Sequence, residues 1–441
     1  MQQTRTVDVA AVIESAKVSP LQIRVMLICA LIIILDGFDL LVIALTAPPI
    51  LAELDLPETR LGPLFGIGLL GMIVGAMIVA PLGDRYGRKL PLAGSTAFFG
   101  LLSLLTATAD SYQELMLLRL LTGMGLGAAV PNSTALISEY APHRARAMMV
   151  TISILGFAVG GLLCSSLAVP MIPAYGWRSM YVVGGLLPLV MVPVLLFWLP
   201  ESVRFLAHRG NAGSRVATIL SRIDPAGQFA ATDKFHAPRE EIQGARIRQL
   251  LVPGRRHDTL LLWIMFFINM MIMFYLVNWI PYLSVRSGLT ERQGALATVA
   301  LNLGGIIGPL VLAVLVRRFG SRRTIASAFV VGAIACAIIG PAGAYFSTFL
   351  VVAGITGFCV FGAQIAIHAL AANLYPMEIR ATGIGWALGW GRVGSIIGPV
   401  AGGYLLHTAL PMGYFFAGFG ALLLGAAFAT WSLIFDDRML T

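Results

Sequence analysis

Apolar residues along this chain gather in long runs, separated by short polar breaks. Segments 23–45 and 61–82 are each long enough to span a bilayer, which takes about 20 apolar residues. The pattern predicts twelve spans, at 23–45, 61–82, 91–109, 114–138, 148–171, 179–199, 259–283, 294–316, 324–344, 347–371, 381–405 and 412–435. The one long polar stretch, 200–257, divides them six and six. The expected organisation is a six-helix bundle over 1–199, a cytoplasmic linker over 200–257 and a second six-helix bundle over 258–441. Segment 1–20 is polar, with Asp8, Glu14 and Lys17 and no short apolar core before a cleavage site, so no removable signal peptide is expected.

Composition fits that pattern. The chain is 58% hydrophobic and 12% charged, where a soluble chain carries about 25% charged residues. Its net charge of +9 follows from where the basic residues lie. Twenty-four of the 30 Lys and Arg fall in segments on one side, including the 200–257 stretch; Arg60, Arg178, Arg286 and Arg292 fall on the other. Positive loops stay inside, so both termini are expected in the cytoplasm, and the basic balance needs no nucleic acid. Cys29, Cys164, Cys336 and Cys359 all sit in apolar runs without metal-ligand spacing and read as small buried hydrophobes. No metal or other cofactor is expected. The Asn132-Ser133-Thr134 sequon lies in an apolar run, where glycosylation is not expected.

The two halves echo each other. Asp84-Arg85-Tyr86-Gly87-Arg88-Lys89 after span 2 matches Arg317-Arg318-Phe319-Gly320-Ser321-Arg322 after span 8, 233 residues on. The Tyr140-to-Arg146 stretch after span 4 resembles Tyr375 to Arg380 after span 10, at an offset near 234. Equal offsets at two places point to duplicated six-helix units, a design of secondary transporters. Gly123, Gly125 and Gly127 lie within a helix and follow no strand, so they are not a nucleotide loop, and G-x-x-x-x-G-K-[ST] is absent. Transport driven by ATP is not expected. Gly156-xxx-Gly160, Gly385-xxx-Gly389 and Gly398-Pro399-xx-Gly402-Gly403 read as close helix contacts.

These motifs give the chain its family. The segment from Asp84 to Lys89 resembles the loop 2–3 signature of the major facilitator superfamily, with Ala80 in place of its leading glycine. Pro200-Glu201-Ser202-Val203-Arg204-Phe205-Leu206 resembles the P-E-S-x-R-[FWY]-L segment after helix 6. Asp36-Gly37-Phe38-Asp39 resembles the D-G-x-D signature of the aromatic acid:proton symporter family. Arg119 through Gly127 with Pro131 is similar to that family's helix 4, and Gly391-Arg392-Val393-Gly394 with Gly398-Pro399 to its helix 11. The resemblance implies an all-α polytopic membrane protein of the major facilitator fold, with twelve helices in two six-helix pseudo-repeats. It implies import of benzoate-like or hydroxybenzoate-like anions with protons across a bacterial inner membrane.

The buried charges point to the same places. Only Asp36, Asp39, Arg119 and Arg392 lie deep in the spans, and a charge at the bilayer centre costs about 2.5–3.5 kcal/mol. One alternative is a set of structural salt bridges. Against it, the positions one repeat away from Asp36 and Asp39, taken at an offset of 234, are Met270 and Met273. Asp36 and Asp39 share a helical face. Two close carboxylates in low dielectric oppose each other's ionisation, so the pair can hold a proton; either aspartate could be the coupling site. Gly37 between them permits close helix approach or local unwinding. Arg392 and Arg119 are the candidates for a substrate carboxylate, which a guanidinium fork meets with two hydrogen bonds. Arg119 could instead pair with a span 1 aspartate; the assignment adopted is Arg392 for substrate and Arg119 for the coupling network.

Gln364 and His368 share a face of span 10, as substrate contacts or as an interhelical hydrogen bond. Asn269 and Tyr275 in span 7, with Trp386 and Trp390 in span 11, suit a flat aromatic acid; Trp279 and Tyr282 fit interfacial packing better. Asp84, Arg85, Arg88, Glu139 and Arg144 are the expected cytoplasmic gate, with a solvated loop as the alternative for Arg88 and Lys89. The expected partners are an aromatic carboxylate, protons and the lipid bilayer, with the protein a monomer. Another organic anion, a sugar, or an aromatic acid sensor without transport is the competing reading. An enzyme is not expected, since no catalytic or metal-spaced cluster is present.

Overall fold

The computed structural model describes residues 6–209, 212–237, 247–342, 345–405 and 412–434. After the strand β1 (Thr6–Asp8) and the short helix α1 (Val9–Ser15) come the long helices α2 (Pro20–Glu53) and α3 (Leu61–Ile78). A five-residue α4 (Leu82–Tyr86) precedes α5 (Lys89–Thr106), α6 (Tyr112–Tyr140), α7 (His143–Tyr175) and α8 (Arg178–Trp198). The central stretch holds α9 (Val203–His208), α10 (Gly213–Ile223) and β2 (Lys234–His236). Then follow α11 (Arg256–Arg286), α12 (Glu291–Phe319), α13 (Ser321–Ala342), α14 (Phe346–Leu374), α15 (Met377–Leu405) and α16 (Met412–Trp431).

Among the described residues, 11 helices are long and apolar enough to cross a membrane. The eleventh expected span falls on α15, which has 29 residues but is not one of those 11. Its glycines, two tryptophans and Arg392 lower its apolarity without shortening it. The chain is a multi-pass helical membrane protein. Several of its helices begin where the sequence supplies a cap. Ser111 accepts from the Glu114 backbone N–H at the start of α6, and Thr290 with Gln293 forms a capping box at α12.

Close contacts divide the chain into two compact units. One comprises residues 1–39, 70–160 and 181–241; the other comprises 40–69, 161–180 and 242–441. In the first unit α2 crosses α7 where Gly160 faces the Ile34 carbonyl: a Cβ there would lie 1.9 Å from that oxygen. Gly71 and Gly75 of α3 lie against the Leu120 and Met124 carbonyls of α6, at 2.1 and 2.0 Å by the same measure. Only a residue without a side chain permits such approach. The second unit has the same contacts. Gly394 of α15 lies on the Phe267 carbonyl of α11, while Gly304 and Gly308 of α12 lie on the Gly354 and Phe358 carbonyls of α14.

These matched contacts fix the repeat register. Ile34 pairs with Phe267, so span 1 maps onto span 7 at an offset of 233 residues. The counterparts of Asp36 and Asp39 are therefore Asn269 and Ile272, which corrects Met270 and Met273. Gly37 corresponds to Met270, and its neighbour Phe157 to Gly391: the small residue sits on opposite helices in the two copies. Gly37 serves close approach, since α2 stays helical through it and its Cβ position is 2.1 Å from the Phe157 carbonyl. Gly87 and Gly320 end the paired loops with φ of +90° and +85°, a conformation that costs glycine little. Gly385 and Gly389 are a correction: among the described residues nothing lies within 4 Å of either Cβ position, so they make no close helix contact there.

The 200–257 stretch is more structured than its polarity suggests. α10 is amphipathic and buries Val216, Ala217, Ile219, Leu220 and Ile223. β2 pairs in parallel with β1, so the chain's N-terminal segment is tied to the central stretch.

Candidate functional site

Asp39, 1% exposed on α2, is held from two sides within the first unit. Ser103 of α5 donates to its Oδ1 at 2.9 Å. Arg119 of α6, 4% exposed, donates from Nη1 to Oδ2 at 3.2 Å and approaches the Asp39 carbonyl at 3.4 Å. The guanidinium carbon lies 5.0 Å from the centre of the Tyr181 ring of α8, a cation–π contact. Asp36 lies one turn earlier on the same helix and is equally buried. The sequence left open which span 1 aspartate, if either, pairs with Arg119. It missed Ser103 and Tyr181, which no sequence motif marks.

A second polar cluster lies in the other unit. Asn269 of α11, fully buried, donates from Nδ2 to the Val360 carbonyl at 3.1 Å and to Gln364 Oε1 at 2.6 Å. A carbonyl only accepts, so Nδ2 faces α14 and Oδ1 faces away; that oxygen has no partner among the described residues. His368 Nδ1 lies 2.7 Å from the Gln364 carbonyl. That contact assigns the proton to Nδ1 and leaves Nε2 as the acceptor. Phe266 meets the His368 ring edge-on at 4.9 Å. Asn269, Gln364 and His368 thus form one chain of contacts.

The other expected substrate residues divide. Arg392 is half-buried on α15, a helix held to α11 by Gly391, Gly394 and Gly398. Trp386 and Trp390 stack on Trp263 of α11, both at 6.0 Å, and are about half exposed. At 100° per residue they lie about 140° around α15 from Arg392, so they do not form a wall beside it. Tyr275 stacks on Phe419 of α16 at 3.8 Å, away from Asn269.

The expected gate residues of the first unit form a network around Arg88. Its side chain reaches Asp84 Oδ1 at 2.5 Å, Asn132 Oδ1 at 3.2 Å and Glu139 Oε1 at 3.4 Å. Its backbone N–H donates to Glu201 Oε1 at 2.7 Å. Ser202 donates to Glu139, and the Tyr140 hydroxyl donates to the Glu201 carbonyl at 2.7 Å. Arg88 is therefore the hub and no solvated bystander. Arg85 lies outside the network against the Tyr86 ring, and Arg144 donates to the Ala16 carbonyl. Glu201 was visible in the P-E-S motif but was not counted as a site residue.

Buried ions and glycine-packed duplicated helices are the construction of a membrane carrier. The Major Facilitator Superfamily profile matches residues 28–345 and 262–440, and the chain belongs to that family of transporters. It is 37% identical to a gallate transporter of Pseudomonas putida over 96% of this chain and 94% of the relative. It is likewise 37% identical to the 4-hydroxybenzoate transporter PcaK of Pseudomonas aeruginosa, over 97% and 95%. A benzoate transport protein of Acinetobacter baylyi is 31% identical over 94% and 90%. Among solved structures, the inward-open xylose transporter XylE of E. coli shares the fold, with a TM-score of 0.75 at 18% identity over 94% of this chain and 97% of that one. The chain is thus a transporter akin to aromatic acid carriers and not an enzyme.

Proposed function

We propose that this protein is a symporter that imports aromatic carboxylates with protons across a bacterial inner membrane, both termini lying in the cytoplasm. The observation that carries the reading is the buried Asp39–Arg119 pair with Ser103 on the same carboxylate. A carboxylate held in low dielectric by one cation and one hydroxyl can change protonation without exposing charge to lipid. Relatives named for gallate, 4-hydroxybenzoate and benzoate supply the substrate class. Arg392, His368, Gln364 and Asn269 are the recognition residues of the second unit: a cation for the carboxylate, and acceptors for ring substituents. The Arg88 network is the cytoplasmic latch. Basic residues concentrated on one side support the orientation. The protein works as a monomer, since one chain supplies all of these residues.

The test is uptake of labelled 4-hydroxybenzoate by bacterial cells expressing the protein, with and without a protonophore. Accumulation that collapses with the protonophore is expected. No uptake above empty cells, with the protein confirmed in the membrane, would overturn the reading and favour another solute or a sensor.

A further inference from the structure

Arg119 is only half used by its partners. Its Nη1 serves Asp39, while Nε and Nη2 hydrogen-bond to nothing among the described residues, although the residue is 4% exposed. An unpaired buried donor is costly, more so on a charged group. The two free groups are not scattered. Nε–H and one Nη2–H lie on the same edge of the guanidinium and point the same way, the side-on fork that meets both oxygens of a carboxylate. Tyr181 lies against the guanidinium, and Asp39 holds the opposite edge. The unpartnered edge, buried with the rest of the residue, is therefore preset in direction.

We propose that the Nε–Nη2 edge of Arg119 receives the substrate carboxylate, so that one guanidinium holds both the substrate and the coupling aspartate. This rests on the carrier function proposed above, moves the carboxylate contact assigned there from Arg392 to Arg119, and adds the means of coupling. Arg119 and ionised Asp39 together are neutral. A substrate anion on that edge then adds one negative charge to a buried site. A proton from solution, bound by Asp39, removes that charge. The Asp39 carbonyl, 3.4 Å from Nη1, remains as an acceptor for Arg119 after protonation, and Oδ1 keeps the Ser103 hydrogen bond. Proton and substrate thus favour each other's binding, and the coupling is reciprocal. The charged or titratable groups around Asp39 are Arg119 from α6, Tyr181 from α8 beside Arg119, and Asp36 on α2 itself. α5 presents Ser103, and α7 meets α2 through Phe157 and Gly160.

Calorimetry of 4-hydroxybenzoate binding to the full-length protein in lipid nanodiscs tests this. The wild type should bind with uptake of one proton, read from the dependence of the heat on buffer ionisation. Its affinity should fall as the pH rises, since binding takes up a proton. Asp39→Asn should bind tightly at every pH and take up no proton. Asp39→Asn/Arg119→Gln should bind roughly 100-fold more weakly than Asp39→Asn. Asp39→Asn/Arg119→Lys, which keeps the buried cation and loses the fork, should fall between them. The double variants isolate a ligand contact, because Asp39 no longer needs its partner in either background. Equal affinity of Asp39→Asn and its folded double variants would overturn the proposal, as would wild-type binding without proton uptake, which needs no variant. A wild-type protein that binds no aromatic acid at any pH would instead sink the carrier reading itself.

Discussion

The helices α2 and α11 are the same element of a duplicated unit, and they differ sharply in charge. Each is crossed by a partner whose glycine lies on a carbonyl at the same register, Gly160 on Ile34 and Gly394 on Phe267. Yet Asp36 and Asp39 in the first correspond to Asn269 and Ile272 in the second. Arg119 corresponds, at the offset of its own contacts, to Ala353, and Arg392 to Ala158. The packing was kept in both copies and the ions in only one of each pair. A helix crossing of this kind therefore forms without the aspartates or Arg119. Because a buried charge costs about 2.5–3.5 kcal/mol in a membrane, a scaffold that folds without it has no structural use for it.

That difference is most sharply tested at Asp39. Asp39→Asn should abolish uphill accumulation of 4-hydroxybenzoate in energised vesicles while leaving exchange of labelled for unlabelled substrate measurable. Adding Ile272→Asp in that background should not restore accumulation. It should instead lower thermal stability, since Ile272 is fully buried and the counterpart of Arg119 in that copy is Ala353. Restored accumulation would show that the two copies are interchangeable and that the ions are placed by chance.

The shared part of the comparison predicts equal damage. Gly160→Leu and Gly394→Leu each push carbon atoms into a backbone carbonyl that cannot retreat within its helix. Each should cost several kcal/mol, at or beyond the upper range of about 1–3 kcal/mol for overpacking, and reduce the yield of folded protein. Gly385→Ala, with open space at its Cβ, should be neutral or stabilise by up to about 1 kcal/mol. Fluorescence-detected size exclusion after a heating series separates these outcomes.

The paired loops extend the same contrast with a smaller effect. Arg88 joins Asp84, Asn132, Glu139 and the Glu201 segment. Its counterpart by the glycine register is Ser321, and the next residue, Arg322, reaches the Trp431 carbonyl and ring. Arg88→Ala should therefore lower the uptake rate by about tenfold, as the loss of one buried charge-assisted network contact of about 1.5 kcal/mol. Arg322→Ala, which removes one carbonyl contact and one ring contact, should stay within about twofold. Initial uptake rates normalised to surface protein compare the two.

Legibility followed the physics of each feature. Spans, the duplicated loops and the buried charges were readable because a bilayer penalises polar atoms residue by residue. The repeat register was misjudged by one because apolar runs carry no period that fixes it; only carbonyl-facing glycines such as Gly160 and Gly394 do. Gly385 and Gly389 have the spacing of a contact motif without the contact, since spacing does not say which face meets a neighbour. Trp386 and Trp390 are near Arg392 in sequence, although helical rotation turns them apart. Ser103 and Tyr181 lay beyond sequence reasoning because a hydroxyl or a ring in an apolar run costs too little to attract notice. The Arg88 hub was underrated because its partners other than Asp84 come from segments over 40 residues away.

The smallest expected effect separates recognition from coupling. Gln364 accepts from Asn269 and its amide approaches His368, so Gln364→Ala frees both side chains without touching Asp39 or Arg119. Asn269 keeps one hydrogen bond, to the Val360 carbonyl, and His368 keeps its bond to the Gln364 backbone, so the fold should hold. What is lost is the fixed orientation of the amide and imidazole acceptors. Loss of orientation weakens a hydrogen bond to a ring hydroxyl by about 1 kcal/mol, and KM for 4-hydroxybenzoate should rise about fivefold. Benzoate, which lacks that hydroxyl, should be nearly unaffected. The steady-state accumulation ratio should not change for either substrate, because it depends on the proton stoichiometry and not on affinity. A fall in that ratio would mean that the amide cluster of α11 and α14 takes part in proton movement, and the two copies would then share the work that the ions of α2 and α6 are assigned here.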